Sequence, residues 1–444
     1  MNIINFKNLA GNSLREKALL IAETGYEAIE IKKAVSKRIS LENGFLTIKH
    51  FNFEEKNETK IDLNSFERIF IVGIGKGSAL ASEALAEILG KYLFGGVALD
   101  IKKPSFLRRI RLKKLKFYKG THPLPSKMNI KATQGIIKLA EELNEKDLLI
   151  TFICGGGSAL ACASESELLE SSCATKELTK AGADIVELNT VRKHLSEFKG
   201  GNLAKIACPA QIVSLIVSDI CGNELSMVAS GPTVLDKTTK NDAENILKKY
   251  SISPGSFNLR ETPKDIGCFE NIKNILFACN QDVVMAMMEK SKELGFNPKI
   301  HSLALEGEAR EILKPMIEKI NFGEAIIAAG ETTVTLTANN TGKGGRNQES
   351  VLGALAKCQR SSINCQDFVF LSFTSDAHDN TEAAGAIGDS LTIEEAKKLN
   401  LNLEDFLENH DSFNFFKKTG DLIYAEQKCF NVADLMLVLS LPKE

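Results

Sequence analysis

The sequence predicts an α/β protein built on parallel strands and divided into two domains. A recurring pattern of apolar runs supports the fold class, and the length of the chain supports the number of domains. The 444 residues exceed what a single hydrophobic core normally supports, so two domains are expected. Apolar runs of strand length recur along the chain, and each ends in glycines or small polar residues, mostly before a helical stretch. Such continuous apolar runs alternating with helices are typical of parallel strands covered on both faces.

Five apolar runs carry this pattern. They are Ile69–Ile74, Leu148–Ile153, Ile212–Val217, Ala325–Ala329 and Phe368–Phe373. Ligands of such sheets bind beyond the carboxyl ends of the strands, and polar clusters follow these runs at those ends. The irregular stretch Ser251–Glu270 contains Pro254, Gly255 and Pro263 and marks the domain boundary. We therefore predict one domain over residues 1–260 and a second over residues 261–444.

Composition narrows the class of protein. Lys plus Arg (55) nearly balance Asp plus Glu (57), so no global charge attracts the protein to nucleic acid or to a membrane surface. No apolar run approaches the ~20 residues that cross a bilayer, and the first twenty residues lack the apolar stretch of a signal peptide. The ten cysteines contain no CxxC pair and are expected to be free or buried thiols. We expect a cytoplasmic protein with neither a nucleic-acid nor a membrane partner.

One segment departs from this charge balance. Between Lys102 and Lys119 lie nine Lys or Arg and no acidic residue, with aromatic residues interleaved. A nucleic-acid-binding patch and a solvated basic edge both account for such a segment. The neutral balance of the whole chain favours the solvated edge.

The first candidate site is the glycine-rich segment Gly73–Ser78 (GIGKGS), between an apolar strand and a helical stretch. A turn of this kind lets backbone N–H groups and the helix dipole meet an anion, and Lys76 adds a mobile positive charge. The segment has neither the spacer of a Walker A loop nor the third glycine of a dinucleotide fingerprint. A tight turn with no ligand remains the alternative.

The second candidate site is Cys154–Ala159 (CGGGSA), which follows the next apolar run. Three consecutive glycines are costly in backbone entropy, and their usual purpose is close approach of the backbone to a ligand. The amides of Gly155, Gly156, Gly157 and Ser158 would suit a phosphate or a carboxylate. A nucleophilic role for Ser158 is disfavoured because Leu160 replaces the second glycine of a GxSxG elbow.

The third candidate site is Gly342–Glu349 (GKGGRNQE), which opens a predicted helix. An arginine beside glycines suits charge stabilisation of a phosphoryl group in transfer, and an arginine that caps a surface turn is the alternative. We place Arg346 among the catalytic candidates. Gly344, Gly345 and Asn347 join Gly75 and the second loop as candidates for cofactor binding.

Acidic residues at strand ends and one helical stretch complete the set of candidates. Asp219, Glu331 and the pair Asp376 and Asp379 follow apolar runs, where they could ligate Mg²⁺ or cap helices. In the stretch that follows Asn189, a polar stripe at helical spacing could bind an anionic substrate or face solvent. Its members are Asn189, Arg192, Ser196 and Lys199.

The chain resembles the glycerate 2-kinase family, whose C-terminal lobe is called the MOFRL domain. Eight motifs occur in the family's order between Leu14 and Val438. They are GIGKG at Lys76, GTHPLP (Gly120–Pro125), CGGGSA (Cys154–Ala159), NTVRKHLSEFKGGNLA (Asn189–Ala204), SDICGNELSMVASGPTVLD (Ser218–Asp236), GETTV (Gly330–Val334), GKGGRNQE (Gly342–Glu349) and TSDAHDNTEAAGA (Thr374–Ala386). The resemblance implies a Rossmann-like, doubly wound parallel sheet in the N-terminal lobe and a second, smaller α/β lobe.

The same resemblance implies ATP- and Mg²⁺-dependent phosphorylation of D-glycerate to 2-phosphoglycerate in a cleft between the lobes. It makes Lys76 and Arg346 the catalytic candidates. We assign Asn189, Arg192 and Lys199 of the polar stripe, together with Glu331, as candidates for substrate binding, and Asp219 and Asp376 as candidates for metal binding. We expect a monomer or a homodimer whose partners are the substrate and the nucleotide.

Several positions depart from the family pattern. Ser126 replaces an aspartate, Gly222-Asn223 replaces Gly-Asp, and Gln427–Phe430 replaces a glycine- and threonine-rich turn. Asn223 and Gln427–Phe430 keep open a ligand-binding homologue with impaired catalysis. The other alternative is a hydroxypyruvate reductase-type oxidoreductase, a label that the family resembled here has often carried.

Overall fold

The computed structural model describes residues 1–51, 56–105, 112–336, 342–360 and 367–442. They form two compact units. The parallel-sheet unit comprises Ile31–Asp219 and Asn223–Ala278. The mixed-sheet unit comprises Met1–Glu30, Ile220–Gly222 and Cys279–Glu444, and it begins with helices α1 (Phe6–Leu9) and α2 (Ser13–Ala28).

The parallel-sheet unit contains the Rossmann-like sheet that was predicted. A small antiparallel sheet of β1 (Ile39–Glu42), β2 (Phe45–Phe51) and β3 (Lys56–Asp62) precedes it. The main strands are β4 (Arg68–Ile74), β5 (Leu93–Asp100), β6 (Leu115–Lys119), β7 (Asp147–Ile153), β8 (Gln211–Val217) and β9 (Ile272–Ala278). They pair in parallel in the order β6-β5-β4-β7-β8-β9, a doubly wound arrangement in which the strand order reverses at β4.

Helices connect these strands. They are α3 (Ile31–Arg38), α4 (Ser78–Leu89), α5 (Lys127–Glu141), α6 (Gly157–Leu160), α7 (Glu165–Lys180), α8 (Ile185–His194), α9 (Asn202–Ala207) and α10 (Lys240–Lys249). The core joins strand residues such as Val72 and Leu149 to Ile136 of α5 and Leu203 of α9. All seven residues of β7 are buried, as expected for a central strand covered on both faces.

The mixed-sheet unit has a different topology. Its strands are β10 (Asn297–Leu305), β11 (Glu324–Gly330), β12 (Phe368–Thr374), β13 (Gly385–Gly388), β14 (Leu422–Ile423) and β15 (Asp434–Ser440). Its other helices are α11 (Asn280–Glu293), α12 (Lys314–Lys319), α13 (Arg346–Arg360), α14 (Ser390–Lys398), α15 (Leu403–Glu408) and α16 (Ser412–Thr419). The order is β10-β11-β15-β12-β13-β14, and only β10 and β11 pair in parallel.

The prediction of parallel strands was therefore wrong for Phe368–Phe373 in β12, and for Ala325–Ala329 in β11 it holds only for the pairing with β10. The C-terminal strand β15 lies between β11 and β12 and pairs antiparallel with both. The apolar pattern of a buried strand is the same in either direction, so the pattern predicted the burial of these strands but not the direction of their partner.

Long-range pairing explains the composition of the two units. Strand β9 pairs with β8, so the parallel-sheet unit continues to Ala278. The guanidinium of Arg15 on α2 donates to Asp389 and Asp421, each at 2.7 Å, which holds the first helices in the mixed-sheet unit. The division at residues 260 and 261 stays a prediction about domain limits.

Two other expectations concern membranes and cysteines. Among the described residues, no helix is long and apolar enough to span a membrane. Eight described cysteines are free, but Cys358 is disulfide-bonded, so the expectation of thiols throughout was wrong at that residue. Part of the basic segment Lys102–Lys119 lies outside the described residues.

Candidate active site

The first glycine loop begins where β4 ends and is held against the second. Gly75 has a φ of +106°, and a Cβ there would lie 2.2 Å from the carbonyl oxygen of Cys154, so only glycine fits. The backbone N–H of Lys76 donates to the carbonyl of Gly155 at 2.9 Å. Because Ile74 of β4 pairs with Ile153 of β7, the two loops leave the sheet side by side.

The second loop brings several predicted residues together. A Cβ on Gly155 would lie 1.8 Å from Oδ2 of Asp219, so this carboxylate lies directly against the loop. Gly156 has a φ of +75°, and a Cβ there would lie 3.4 Å from Cγ of Lys76 and 3.3 Å from Nε2 of His122. The lysine stem and the imidazole therefore flank the same glycine.

A chain of hydrogen bonds continues from Ser158 into the unit. Its hydroxyl lies 2.9 Å from that of Ser230, and Ser230 Oγ donates to Oδ1 of Asn189 on α8 at 3.0 Å. Ala229 and Ser230 both have positive φ, +49° and +58°. Strained backbone of this kind persists where the surroundings fix it, as at ligand sites. Asn189, predicted to bind substrate, thus reaches the second loop through Ser230.

The N-terminus of α4 donates a hydrogen bond to a carboxyl group of the protein itself, that of Asp100. Asp100, at the end of β5, is 2% exposed and accepts from the backbone N–H of Ala79 at 3.0 Å and from that of Lys102 at 3.4 Å. Burial raises the pKa of Asp100 to about 6, although these backbone donors oppose the shift. The helix dipole at the first loop is therefore directed at a buried side chain.

The other residues of the predicted substrate stripe lie in different surroundings. Lys199 Nζ donates to Oε1 of Glu167 at 2.8 Å, and both side chains are buried. Burial acts to raise the pKa of Glu167, but the charge of Lys199 and the hydrogen bonds from Lys199, Ser196 and the backbone of Ala163 together lower it. Arg192 is half-buried and donates from Nε to Thr175 at 3.2 Å, and burial lowers the pKa of its guanidinium. The stripe is therefore not one shared surface.

In the mixed-sheet unit, Arg346 is the first residue of α13 and lies between two carboxylates. Its Nε donates to Asp434 at the start of β15, and its Nη1 lies 2.9 Å from Oε1 of Glu331, just after β11. Asp434 is fully buried, and burial raises its pKa to about 6, with the charge of Arg346 acting in the opposite direction. The side chain of Arg346 is 37% exposed and remains accessible to a ligand.

The third glycine loop is held by a buried cap. Asp379 accepts from the backbone N–H of Asn347 at 3.2 Å and from that of Gln348 at 3.0 Å, at the start of α13. A Cβ on Gly345 would lie 2.0 Å from the carbonyl oxygen of Asp379, and one on Gly344 would lie 2.4 Å from Oγ of Ser412. These two glycines therefore permit close packing inside the unit.

Asn347 and Asp376 also make contacts within this unit. The side chain of Asn347 donates to Asp379 at 3.1 Å and accepts from Ser372 at 2.6 Å. Asp376 is half-buried and accepts from the backbone N–H of His378 at 3.1 Å. Asp379 thus serves as the helix cap that the sequence allowed, and Asp376 lies closer to the surface.

The donor chemistry is compatible with Mg²⁺ bound to a nucleotide. The described residues contain no cluster of three His, Cys, Asp or Glu that could hold a metal alone. Mg²⁺ on nucleotide phosphates needs only one or two protein carboxylates, since the phosphates and water supply its other ligands. Asp219, which lies against Gly155, provides such a carboxylate at a candidate phosphate loop.

The sequence had not assigned a role to three residues that these contacts single out, two in the parallel-sheet unit and one in the mixed-sheet unit. Asp434 begins β15, His122 lies within the motif GTHPLP, and Asp100 is the last residue of β5. An acidic residue at a strand end was a usable signal for Asp100, since the same signal selected Asp219. The sequence contained no comparable signal for the roles of His122 and Asp434.

Comparisons with known proteins agree on one family. A family model described as a domain of unknown function (DUF4147) matches residues 17–260, and the MOFRL family model matches residues 324–434. A D-glycerate 2-kinase of Thermotoga maritima is 34% identical, with 86% of this chain and 93% of that protein aligned. A glycerate 2-kinase of Pyrococcus horikoshii is 31% identical over 96% and 97% of the two chains.

Two further comparisons bear on fold and on function. A crystal structure of glycerate kinase from Thermotoga maritima superposes with a TM-score of 0.81 at 31% identity, covering 97% of this chain and all of that one. A putative hydroxypyruvate reductase of Agrobacterium vitis is 32% identical, with 84% of this chain and 87% of that protein aligned.

Proposed function

Because this chain belongs to the glycerate 2-kinase family, we propose that it transfers the γ-phosphoryl group of ATP to the 2-hydroxyl of D-glycerate, forming 2-phosphoglycerate. Relatives that align over most of the chain bear kinase names, and the predicted resemblance is thereby confirmed. The nucleotide, the metal and the phosphorylated hydroxyl are parts of our proposal.

One observation supports this proposal most strongly. Two glycine loops from adjacent parallel strands are joined by the hydrogen bond from Lys76 to Gly155, and the stem of Lys76 lies over Gly156. Backbone amides and an ammonium group at the carboxyl ends of strands are suited to the oxygens of a phosphate or a carboxylate. A site of this kind positions an anionic substrate and needs no reactive side chain of its own.

The reaction that we propose is an in-line displacement. The oxygen of the 2-hydroxyl forms a bond to the γ-phosphorus while the bond between that phosphorus and the β,γ-bridging oxygen breaks, and ADP leaves. The hydroxyl proton passes to a carboxylate or to water, and Asp219, Glu331 and Asp376 are the candidate bases. The protein contributes mainly by positioning the reactants and neutralising charge.

The charged residues have separate roles in this proposal. Lys76 and Arg346 stabilise the negative charge of the phosphoryl group during transfer. The amides of Gly155–Ser158 hold phosphate oxygens or the glycerate carboxylate, while Asp434 and Glu331 orient Arg346. Mg²⁺, when bound with the nucleotide, supplies further charge neutralisation, and Asp219 and Asp376 are the residues that would hold it.

A second candidate function is hydroxypyruvate reduction with a nicotinamide cofactor, which the name of one relative supports. A dinucleotide site of the usual type places its pyrophosphate at the N-terminus of the first βα helix. Here the buried carboxyl group of Asp100 accepts a hydrogen bond from the N-terminus of α4, and Ser78 occupies the position of the third glycine of the fingerprint. These two features disfavour the reductase, and the absence of NADH oxidation with hydroxypyruvate would exclude it.

The decisive experiment is incubation of the purified protein with D-glycerate, ATP and Mg²⁺, followed by ³¹P NMR of the product. We expect 2-phosphoglycerate. In Lys76→Ala and Arg346→Ala, loss of one positioned charge is expected to reduce kcat about 10²- to 10³-fold.

Matched controls remove exposed cations outside the loops. They are Lys91→Ala, just after α4, and Arg360→Ala, at the far end of α13. Both controls are expected to keep full activity. Nucleotide binding without turnover in the unmodified protein would favour the impaired homologue, and near-normal activity of Lys76→Ala would refute the role of Lys76. A cytoplasmic location and a monomeric or homodimeric state remain predictions.

A further inference from the structure

The segment Gly120–Ser126, which we call the histidine loop, is hydrogen-bonded at both ends to the side chain of Asn129 of α5. This side chain is fully buried and accepts from the backbone N–H of Thr121 at 2.9 Å and from that of Ser126 at 3.0 Å. It donates to the carbonyl of Thr121 at 3.1 Å and to that of Leu160, just after the second glycine loop, at 3.0 Å. One buried amide therefore ties the histidine loop to its own helix and to the second loop.

The start of the histidine loop is anchored to the sheet. The backbone N–H of Gly120 donates to the carbonyl of Asp100 at 2.8 Å, at the end of β5. A Cβ on Gly120 would lie 2.8 Å from Nδ2 of Asn129, so the loop approaches this amide as closely as glycine allows. The hydroxyl of Thr121 donates to the carbonyl of Leu124 at 2.7 Å and closes the turn. The backbone on both sides of His122 is thus fixed.

His122 itself is exposed, although its backbone is fixed. Its Nε2 and Cδ2 lie 3.3 Å and 3.4 Å from the point that a Cβ of Gly156 would occupy, and Cγ of Lys76 lies 3.4 Å from the same point. An imidazole and a lysine stem therefore flank the glycine whose neighbouring amides form the candidate phosphate loop. Three loops meet here, all within the parallel-sheet unit.

We propose that His122 is a ligand-binding residue of this site and that it donates a ring N–H to an anionic oxygen of the bound ligand. Because hydrogen bonds already fix the backbone on both sides of His122, little backbone entropy is lost when its side chain binds a ligand. Positions of this kind favour recognition. The identity of the ligand rests on the proposed function. The oxygen belongs either to the carboxylate of D-glycerate or to a phosphoryl group of the nucleotide, and both accept a charge-assisted hydrogen bond.

The first test is kinetic. His122→Ala is expected to raise KM about 10- to 100-fold for the substrate whose oxygen it binds, since one hydrogen bond to a charged group is lost. A rise in KM for D-glycerate assigns the carboxylate, and a rise in KM for ATP assigns the phosphoryl group. His122→Gln keeps an N–H donor near the position of Nε2 and should restore most of the affinity.

A matched control is His301→Ala on β10 of the other unit, which should change neither KM. Thermal unfolding of each variant checks that the fold is intact, and the exposed position of His122 makes a folding defect in this variant unexpected. Unchanged KM values for both substrates in His122→Ala would overturn the inference.

The second test does not depend on turnover. The ring ¹H–¹³C signal of His122, identified by its loss in His122→Gln, is followed by NMR while D-glycerate, ADP or inorganic phosphate is added. We expect one of these probes to shift the signal at saturable concentrations. If the protein fails to phosphorylate D-glycerate but ADP or phosphate shifts the signal, the proposed function is wrong and this inference stands. If no probe shifts the signal, the inference is overturned.

Discussion

Two cationic residues with similar sequence surroundings, Lys199 and Arg346, differ in how deeply their side chains are buried. Lys199 and Arg346 both lie near glycines and were both assigned to ligands, yet the Lys199 side chain is 3% exposed and that of Arg346 is 37% exposed. A buried ammonium that donates to buried Glu167 cannot reach a ligand without breaking that pair, which is costly. The guanidinium of Arg346 contacts Asp434, which is buried, and Glu331, which is exposed, and more than a third of the arginine side chain is accessible to solvent. Arg346 therefore remains the better candidate for contact with a phosphoryl group.

The first residue-scale prediction concerns the Lys199 pair. Glu167→Gln leaves a buried ammonium without its counter-charge and is expected to lower the free energy of unfolding by about 3–5 kcal/mol. Glu67→Gln removes the carboxylate of an exposed pair with Lys146 and should cost less than about 1 kcal/mol. Urea unfolding at pH 7 measures both. Equal costs would show that the pair of Lys199 is not the structural element that its burial indicates.

The second residue-scale prediction concerns pH and Asp100. Its pKa is raised from 3.8 to about 6 in the folded protein, so between these values the folded state holds a proton that the unfolded state has lost. Stability from this group is therefore full below about pH 4 and declines as pH rises through about 6. The difference in unfolding free energy between the unmodified protein and Asp100→Asn should fall by about 2–3 kcal/mol between pH 4 and pH 7.

The control for this prediction is Asp405→Asn, which changes an exposed carboxyl on α15. Its difference from the unmodified protein should stay nearly constant across the same range. A constant difference for Asp100→Asn as well would mean that this carboxyl titrates normally in the folded state.

At the scale of elements, two helices begin in the same way. The helix α4 follows Lys76 and is capped by buried Asp100, while α13 starts at Arg346 and is capped by buried Asp379. In each case the helix N-terminus is occupied by the protein's own carboxylate, so it is not open to a phosphate. Ligand contacts are then left to side chains and to the amides of the second loop.

The element-scale prediction compares two glycines. Gly155→Ala places a Cβ 1.8 Å from Oδ2 of Asp219, so the loop or the carboxylate must move, and we expect kcat to fall by roughly 10²-fold because the reactants lose their positions. Gly135→Ala, in the middle of α5, meets nothing within 4 Å and should stabilise the protein by about 0.5–1 kcal/mol with activity unchanged. Kinetics and urea unfolding of both variants provide the comparison, and an active Gly155→Ala enzyme would contradict it.

At the scale of the whole molecule, each of the two units is built from segments that are separated in the sequence. The first thirty residues belong with the mixed-sheet unit through contacts such as Arg15 with Asp389, and β9 extends the parallel-sheet unit to Ala278. A single cut in the sequence therefore cannot separate them without removing a part of one core. Among the six residues of β9 that pair with β8, Ile275 and Ala278 are buried.

The whole-molecule prediction follows from this arrangement. A fragment of residues 31–278 is expected to unfold cooperatively in urea, because it keeps all six strands of the parallel sheet. A fragment of residues 1–260 ends before β9 and leaves β8 as an unpaired edge, so it should be less stable and more prone to aggregation. Circular dichroism and urea titration compare the two. Equal stability would support the boundary predicted at residue 260.

The sequence alone determined five of the strands, the glycine loops and the family. Apolar runs, glycines and their order along the chain are local properties, and they predicted β4, β7, β8, β11 and β12 as well as the kinase resemblance. Local patterns also indicated that these segments are buried. They contained no information on the direction of β15 between β11 and β12.

Only the tertiary structure decided which side chains meet. Lys199 donates a hydrogen bond to Glu167, and Arg346 donates one to Asp434, which lies 88 positions further along the chain. The histidine loop brings His122 to Gly156. Partners at such separations are chosen by the packing of the sheet and not by neighbours in sequence. Burial then sets the cost of each charge, and with it whether a residue stabilises the fold or remains available to a ligand.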